Sequence, residues 1–241
     1  MRVFLASLVL AVGTELPAPA PAAPEPLFQD TATVKGVVKV KGAIPKRSKI
    51  STSADPKCTA KDGLLSEEVV ADPAGRLQYA LVYIKKGLED KKFDVPKKPV
   101  VLEQKSCRFE PHVFGIMVGQ ELMIRNGDEL MHIAHVVPRE NKEWGFSQAR
   151  PGEQRPKIFD KPELPIRVFC DVHPWMQAWA GVLAHPFHST TDPLGRFEIK
   201  GIPAGKYTLE VWHEYYKSFE AEIELKGRET KTLNVDLTDK K

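Results

Sequence analysis

The sequence predicts an all-β fold, a sandwich or barrel of short antiparallel strands, and three observations carry that expectation. Short segments alternate apolar with polar positions and are rich in β-branched and aromatic residues. Pro and Gly, 20 and 16 in number, bound these segments at short intervals. No stretch keeps a 3.6-residue apolar stripe for three turns, as an amphipathic helix must.

The first 30 residues read differently from the rest. Arg2 precedes an apolar run from Val3 to Val12, followed by a Pro/Ala tract from Leu16 to Pro26. A weakly positive start, a short apolar run and small residues such as Ala20 and Ala22 fit a secretory signal. We expect a signal peptide over 1–22, cleavage after Ala22, and a Pro/Ala-rich linker over 23–30. The run falls short of the ~20 apolar residues needed to span a bilayer. The expected location is periplasmic or secreted, with no membrane span after cleavage.

Strand patterns follow at Thr33–Lys41 (TVKGVVKVK), Leu77–Lys85 (LQYALVYIK) and Glu121–Arg125 (ELMIR). Others lie at Pro165–Cys170 (PIRVFC), Lys206–Trp212 (KYTLEVW) and Phe219–Leu225 (FEAEIEL). Asn126-Gly127-Asp128, Asp192-Pro193-Leu194-Gly195 and Pro203-Ala204-Gly205 are tight-turn sequences. The polar, aperiodic tract from Lys46 to Ser66 reads as a long surface loop. A chain of 241 residues favours two domains over one. Its formal net charge of +3, from 35 basic and 32 acidic residues, comes without a basic block, so no nucleic-acid partner is expected.

The cysteines sharpen the chemistry. Cys58, Cys107 and Cys170 form an odd set, so in an oxidising compartment one thiol is left for something other than sulfur. Cys170 ends an apolar strand and opens Cys170-Asp171-Val172-His173-Pro174-Trp175-Met176. One turn thus offers a thiolate, an imidazole and a thioether, a soft set that suits copper in both oxidation states. Zinc would ask for a different fourth ligand than Met. A second imidazole must come from elsewhere, and His132 and His135 are the candidates. Three residues apart, they face opposite sides of a strand, so one of the pair is expected to bind.

Ile124-Arg125-Asn126, then His132, then Cys170-x-x-His173-x-x-Met176 resemble a cupredoxin, with a ligand loop similar to that of amicyanins. The strand pair from Val100 to Arg125, with Pro111, Val118 and Gly119, is also similar to a cupredoxin's opening hairpin. The resemblance covers residues 98–186 and implies a Greek-key sandwich holding one type 1 copper ion. The implied ligands are His132, Cys170, His173 and, weakly, Met176. It implies one-electron transfer and no enzymatic turnover, with exported redox partners such as a c-type cytochrome or a dehydrogenase. In cupredoxins the loop histidine reaches the surface, so Pro174 and Trp175 are expected in a docking patch, unless Trp175 merely fills the sandwich end. Many cupredoxins carry Asn after the upstream histidine, where this chain has Ile133, so the loop needs another brace. A copper carrier or storage protein, and a β-sandwich with a structural metal, are the alternative readings.

Thr191-Asp192-x-x-Gly195-Arg196-Phe197 and Ile202-Pro203-Ala204-Gly205-Lys206-Tyr207 resemble the second half of a carboxypeptidase-regulatory-like, or transthyretin-like, β-sandwich. Thr33–Gly42 and Ala80–Ile84 resemble its first half. We therefore expect a discontinuous sandwich from 31–97 and 187–241, with the cupredoxin domain of 98–186 inserted; a tandem arrangement is the rival. Cys58 and Cys107 are expected to pair as a disulfide, or else Cys107 joins His112 at a second metal. His135 and His112 are candidates for a second metal or a structural role. His185, His188 and His213 carry no assignment.

Overall fold

A computed structural model of the chain describes residues 30–53, 55–58 and 63–239. The expected signal peptide and all of the linker but Asp30 lie outside the described residues. The chain is all-β. Its strands are β1 (Thr31–Val40), β2 (Leu81–Lys86), β3 (Val100–Lys105), β4 (Arg108–Glu110), β5 (Val113–Met117), β6 (Glu121–Asn126), β7 (His132–Val136), β8 (Trp144–Gln148), β9 (Gln154–Ile158), β10 (Glu163–Cys170), β11 (Gln177–Leu183), β12 (His188–Thr190), β13 (Arg196–Pro203), β14 (Gly205–Trp212), β15 (Phe219–Leu225), β16 (Thr230–Thr232) and β17 (Val235–Leu237). Among the described residues the one helix is a 3-10 turn, Pro56–Cys58, and no helix is long and apolar enough to cross a membrane.

Four sheets form two pairs. One pair joins β13-β1-β16, with β17 also on β1, to β12-β2-β14-β15. Alternation in β1 and β14 turns Ala32, Val34 and Val38 towards Leu209 and Val211 in a common core. Gly36 sits in β1 because a Cβ there would lie 1.8 Å from the backbone carbonyl oxygen of Leu233. The chain leaves this pair after β2 and returns at β12. In between it builds β4-β3-β6-β9 and β5-β11-β10-β7-β8. Their facing residues, among them Leu102, Phe109, Ile124, Val136, Val168 and Ala180, form a second core. Each fully buried aliphatic or aromatic side chain contributes about 1.5–3 kcal/mol.

Strand β5 is buried at every position, whereas a strand covered on one face would alternate. Its Val113, with Leu183, meets Leu81, Tyr83 and Trp212 of the other pair in a small third cluster. Gly181 lies at this seam, where an added Cβ would be 2.4 Å from Leu81 Cδ2. The two pairs are thus packed against one another.

The described residues from Lys46 to Ser66 form a mostly exposed or half-buried loop, as expected, but one anchored to the second core. Cys58 and Leu64 are buried in the second core, with Ile50 packed against it, and Lys49 bridges Leu65. It has no two-residue period because a few anchors hold it over one end of the sandwich, where no ladder sets a repeat. That end carries the candidate site.

Candidate metal centre

His132 is the first residue of β7, and the alternation of that strand sends His132, Ala134 and Val136 inward and Ile133 and His135 outward. Cys170 is the last residue of β10, paired opposite Ala134, and it points into the same core. The six-residue connection to β11 is closed by its own backbone. The Met176 N–H donates to His173 O at 2.9 Å, and the Cys170 N–H donates to Met176 O at 3.2 Å. The Asp171 N–H reaches Ile133 O at 3.2 Å. These bonds fold His173 back over Cys170.

Three donors converge there. The Nδ1 atoms of His132 and His173 lie 3.0 Å apart, and Cys170 Sγ is 4.0 and 3.8 Å from them. His132, His173, Cys170 and Met176 are exposed by 0, 1, 2 and 1%. Met176 lies in the same core cluster as Cys170. The Ile133 backbone N–H donates to Cys170 Sγ at 3.4 Å, so the main chain braces the sulfur where a side-chain Asn is absent.

Each imidazole is held from behind by a carboxylate. His132 Nε2 donates to Asp128 Oδ2 at 2.9 Å, and His173 Nε2 donates to Asp55 Oδ2 at 3.3 Å. A carboxylate only accepts, so each ring carries its hydrogen on Nε2 when neutral and turns a lone pair inward on Nδ1. Two lone pairs 3.0 Å apart need a cation between them, a proton or a metal ion. With the Cys170 sulfur as third donor and Met176 in the same buried cluster, the set fits copper by its softness. Burial holds the pKa of His132 below the usual histidine value, with the charge of His173 acting the same way against Asp128. The hydrogen bond from His173 lowers that of Asp55.

Asp128 is the hub of this outer layer. Its carboxylate also accepts the backbone N–H groups of Ser106 (2.6 Å) and Cys107 (2.8 Å). Those residues form the β3–β4 turn with φ of 52° and 54°, the left-handed pair that a tight hairpin requires. Asn126, fully buried, orders the approach to His132. Its Nδ2 donates to Leu130 O and Gln148 O, and its Oδ1 accepts from the Asp128 N–H. Asp55 and Asp128 went unassigned in the sequence. Asp128 stands four residues before His132, a usable signal; Asp55, 118 residues from His173, offered none.

Residues 182–238 match the carboxypeptidase regulatory-like domain. The match takes in β12–β17, the C-terminal part of the first sheet pair. No curated protein is significantly similar in sequence. Solved structures show partial likenesses. A Cu-containing nitrite reductase from Thermus scotoductus is 22% identical with a TM-score of 0.35, over 42% of this chain and 26% of its own length. A purple cupredoxin from Nitrosopumilus maritimus is 16% identical with a TM-score of 0.31, over 35% of this chain and 99% of its own. A Cu(I) amicyanin variant is 16% identical with a TM-score of 0.32, over 42% of this chain and 98% of its own.

The regulatory-like segment reaches back towards the candidate centre. Its Glu214 accepts from Trp179 Nε1 at 2.8 Å and Gln177 Nε2 at 3.3 Å, and it makes a short contact with His112 Nε2. His112 Nδ1 donates to Gln177 O at 3.0 Å. This places His112 at the seam between the sheet pairs, away from a shared metal with Cys107, which is bonded to Cys58 with a Cα–Cα distance of 5.5 Å. His135 lies on the outer face of β7, between Asp171 (3.1 Å) and Glu143 (3.3 Å). His185 Nε2 faces Ile84 O at 2.8 Å, His213 Nδ1 accepts the Tyr215 N–H at 3.1 Å, and the His188 ring packs on Gly115. Among the described residues, every trio of His, Cys, Asp or Glu donors within 4.8 Å includes His132 or His173.

The surface expectation for His173 needs correction. Asp55 covers its outer nitrogen, and the ring is 1% exposed. Pro174 is exposed, but Trp175 is half-buried against the core, 5.2 Å from the His173 ring, with its Nε1 donating to Cys107 O at 3.2 Å. The tract from Lys46 to Ser66 supplies the cover, which the pattern of the loop itself did not foretell.

Proposed function

We propose that this chain is an exported type 1 copper protein that carries single electrons between redox partners. The observation supporting it is the convergence of two inward Nδ1 atoms and one thiol sulfur in a buried, hydrogen-bonded frame. Copper there supplies the one-electron Cu(I)/Cu(II) couple. His132, Cys170 and His173 are the ligands, with Met176 as the weak fourth. Asp128 and Asp55 fix the imidazole tautomers, and the Ile133 N–H fixes the sulfur, so little needs to move when the charge changes. The electron leaves through His173 towards Trp175 and the Pro174 edge, where an exported cytochrome or dehydrogenase docks.

Insertion of residues 98–186 between 31–97 and 187–241 belongs to the same reading. The regulatory-like part is scaffold. The cover from Lys46 to Ser66, although N-terminal in sequence, works with the inserted unit. Export is supported by the leader-like first 22 residues and by the Cys58–Cys107 disulfide, a bond of oxidising compartments. Burial of the donors to 2% or less disfavours a carrier that releases its ion freely.

The test is a visible and EPR spectrum of the mature chain loaded with Cu(II). An intense thiolate-to-copper band with narrow hyperfine splitting, absent in Cys170→Ala, supports the proposal. A pale protein with ordinary splitting sinks it.

A further inference from the structure

A donor set this deeply buried needs a way in for its metal, and the chemistry at its mouth is unusual. Beside the two imidazoles lies the Cys58–Cys107 disulfide. Both of its sulfurs and a ring nitrogen of His173 fall within 4.8 Å of one another. Cys107 Sγ, an Asp128 oxygen and a ring nitrogen of His132 form a second such group. Cys170 belongs to neither group; its sulfur faces the Nδ1 atoms of the two rings. The disulfide also lines an open surface cleft of about 280 Å³, together with Lys57, Ser106, Asp128 and Glu129. Both cysteines are buried, 3 and 1% exposed, so a soft donor pair lies between the floor of this cleft and the imidazoles.

We propose that Cys58 and Cys107, once their disulfide is reduced, are a second copper(I) site and the port through which the metal reaches His173. Paired in a disulfide, the sulfurs are poor ligands. As thiolates they are the soft donors that Cu(I) prefers. Opening the bond requires an exported dithiol protein. Its thiolate attacks one sulfur to give a mixed disulfide, and its second thiol resolves that intermediate. Two electrons and two protons pass to Cys58 and Cys107, and the donor leaves as its own disulfide. Cu(I) then replaces the two thiol protons, which go to solvent. The same opening frees Cys58, the end of the 3-10 turn that follows Asp55, so the cap on His173 loosens as the port forms. Re-oxidation closes the cleft over the loaded centre.

The proposal takes from the type 1 reading only the destination of the ion; binding at the dithiol stands apart from it. The test uses full-length mature Cys170→Ala, which lacks the inner thiolate, titrated with Cu(I) against a chromophoric Cu(I) chelator without oxygen. After phosphine reduction and desalting, it is expected to take up about one Cu(I) per chain more than the oxidised sample does. Alkylating the reduced thiols with iodoacetamide must abolish that additional uptake, while far-ultraviolet circular dichroism shows that the reduced and alkylated forms keep the β fold of the oxidised one. Equal uptake by the reduced and the alkylated forms overturns the second site. In the unsubstituted chain, reduction is expected to speed Cu(I) loading at least tenfold; equal rates overturn the port. A missing blue band in the Cu(II) protein would sink the electron-transfer reading and leave the Cys170→Ala result standing.

Discussion

Replacing Asp128 with Asn should raise the reduction potential of copper bound at the proposed centre. Asp128 Oδ2 is 2.9 Å from His132 Nε2, and the ring is ~2 Å across, so the carboxylate lies about 5 Å from the donor Nδ1. Reduction removes one positive charge from the metal and its ligands. A fixed negative charge favours the oxidised form, and removing it favours the reduced one. At 5–8 Å and an effective dielectric of about 20, a unit charge contributes about 2–3 kcal/mol. The Asp128 side chain is 14% exposed, and solvent screening brings this to about 1–2 kcal/mol, or about 40–90 mV for one electron. Asn retains an oxygen for one of the Ser106 and Cys107 amides, so the β3–β4 turn should persist. The assay is a spectroelectrochemical titration of the two proteins at the same pH and salt, with the visible spectrum checking that the ligands are unchanged. A potential that falls, or that stays within about 10 mV, would refute the electrostatic role of Asp128.

Three further outcomes are expected. Reducing the Cys58–Cys107 disulfide, which closes a 49-residue separation, should lower unfolding stability by about 4 kcal/mol on the chain-entropy account, read as a shifted guanidinium midpoint. An unmoved midpoint would mean that the cover lends the fold nothing. Glu214→Ala leaves His112, Trp179 and Gln177 without a shared acceptor at a side chain 6% exposed, and it should cost about 2–4 kcal/mol while the blue band survives. Full stability in that variant would show that the seam is held by its apolar cluster alone. Burial holds the pKa of His188 down at about 4, below the ~6.5 of an unfolded chain. The unfolded state then binds more protons between those values, so stability is complete above pH ~6.5 and falls by about 3 kcal/mol on the way to pH ~4. Urea midpoints at both ends of that range check it, and His188→Gln should flatten the slope.

The parts of the fold legible in the sequence are those whose neighbours lie close along the chain. β14 and β15 are joined directly; β15 alternates because one face is covered, as does β14 up to Thr208, while Leu209 to Trp212 are buried on both faces. The Cys170–Met176 loop is equally local, since its geometry comes from backbone bonds within a few residues. Strand β9 escaped because it lies at a sheet edge with its residues exposed, leaving no alternation to read. Strand β5 lost its period for the opposite reason, being covered on both faces at the seam. The carboxylates behind the imidazoles were hidden by distance and by bland chemistry. Asp128 read as a turn residue, and it is one; its second task depends on the β3–β4 hairpin meeting it from another strand.

The cover and the seam together explain why one chain combines these two sandwiches. Gln177 follows Met176 directly and opens β11, so whatever fixes Gln177 fixes the end of the ligand loop. Its side chain is held by Glu214 from the regulatory-like segment, and its carbonyl accepts from His112. The start of the loop, at Cys170, is held by the Ile133 amide and by pairing with β7. Asp55 closes the loop from above, through a segment leading back to the first sandwich. The loop is thus pinned at its start by its own sheet, at its end by the other sandwich and on top by the disulfide-anchored cover. The proposed one-electron role needs donors that move little between copper oxidation states, and in this chain their fixing comes from elements far apart in sequence.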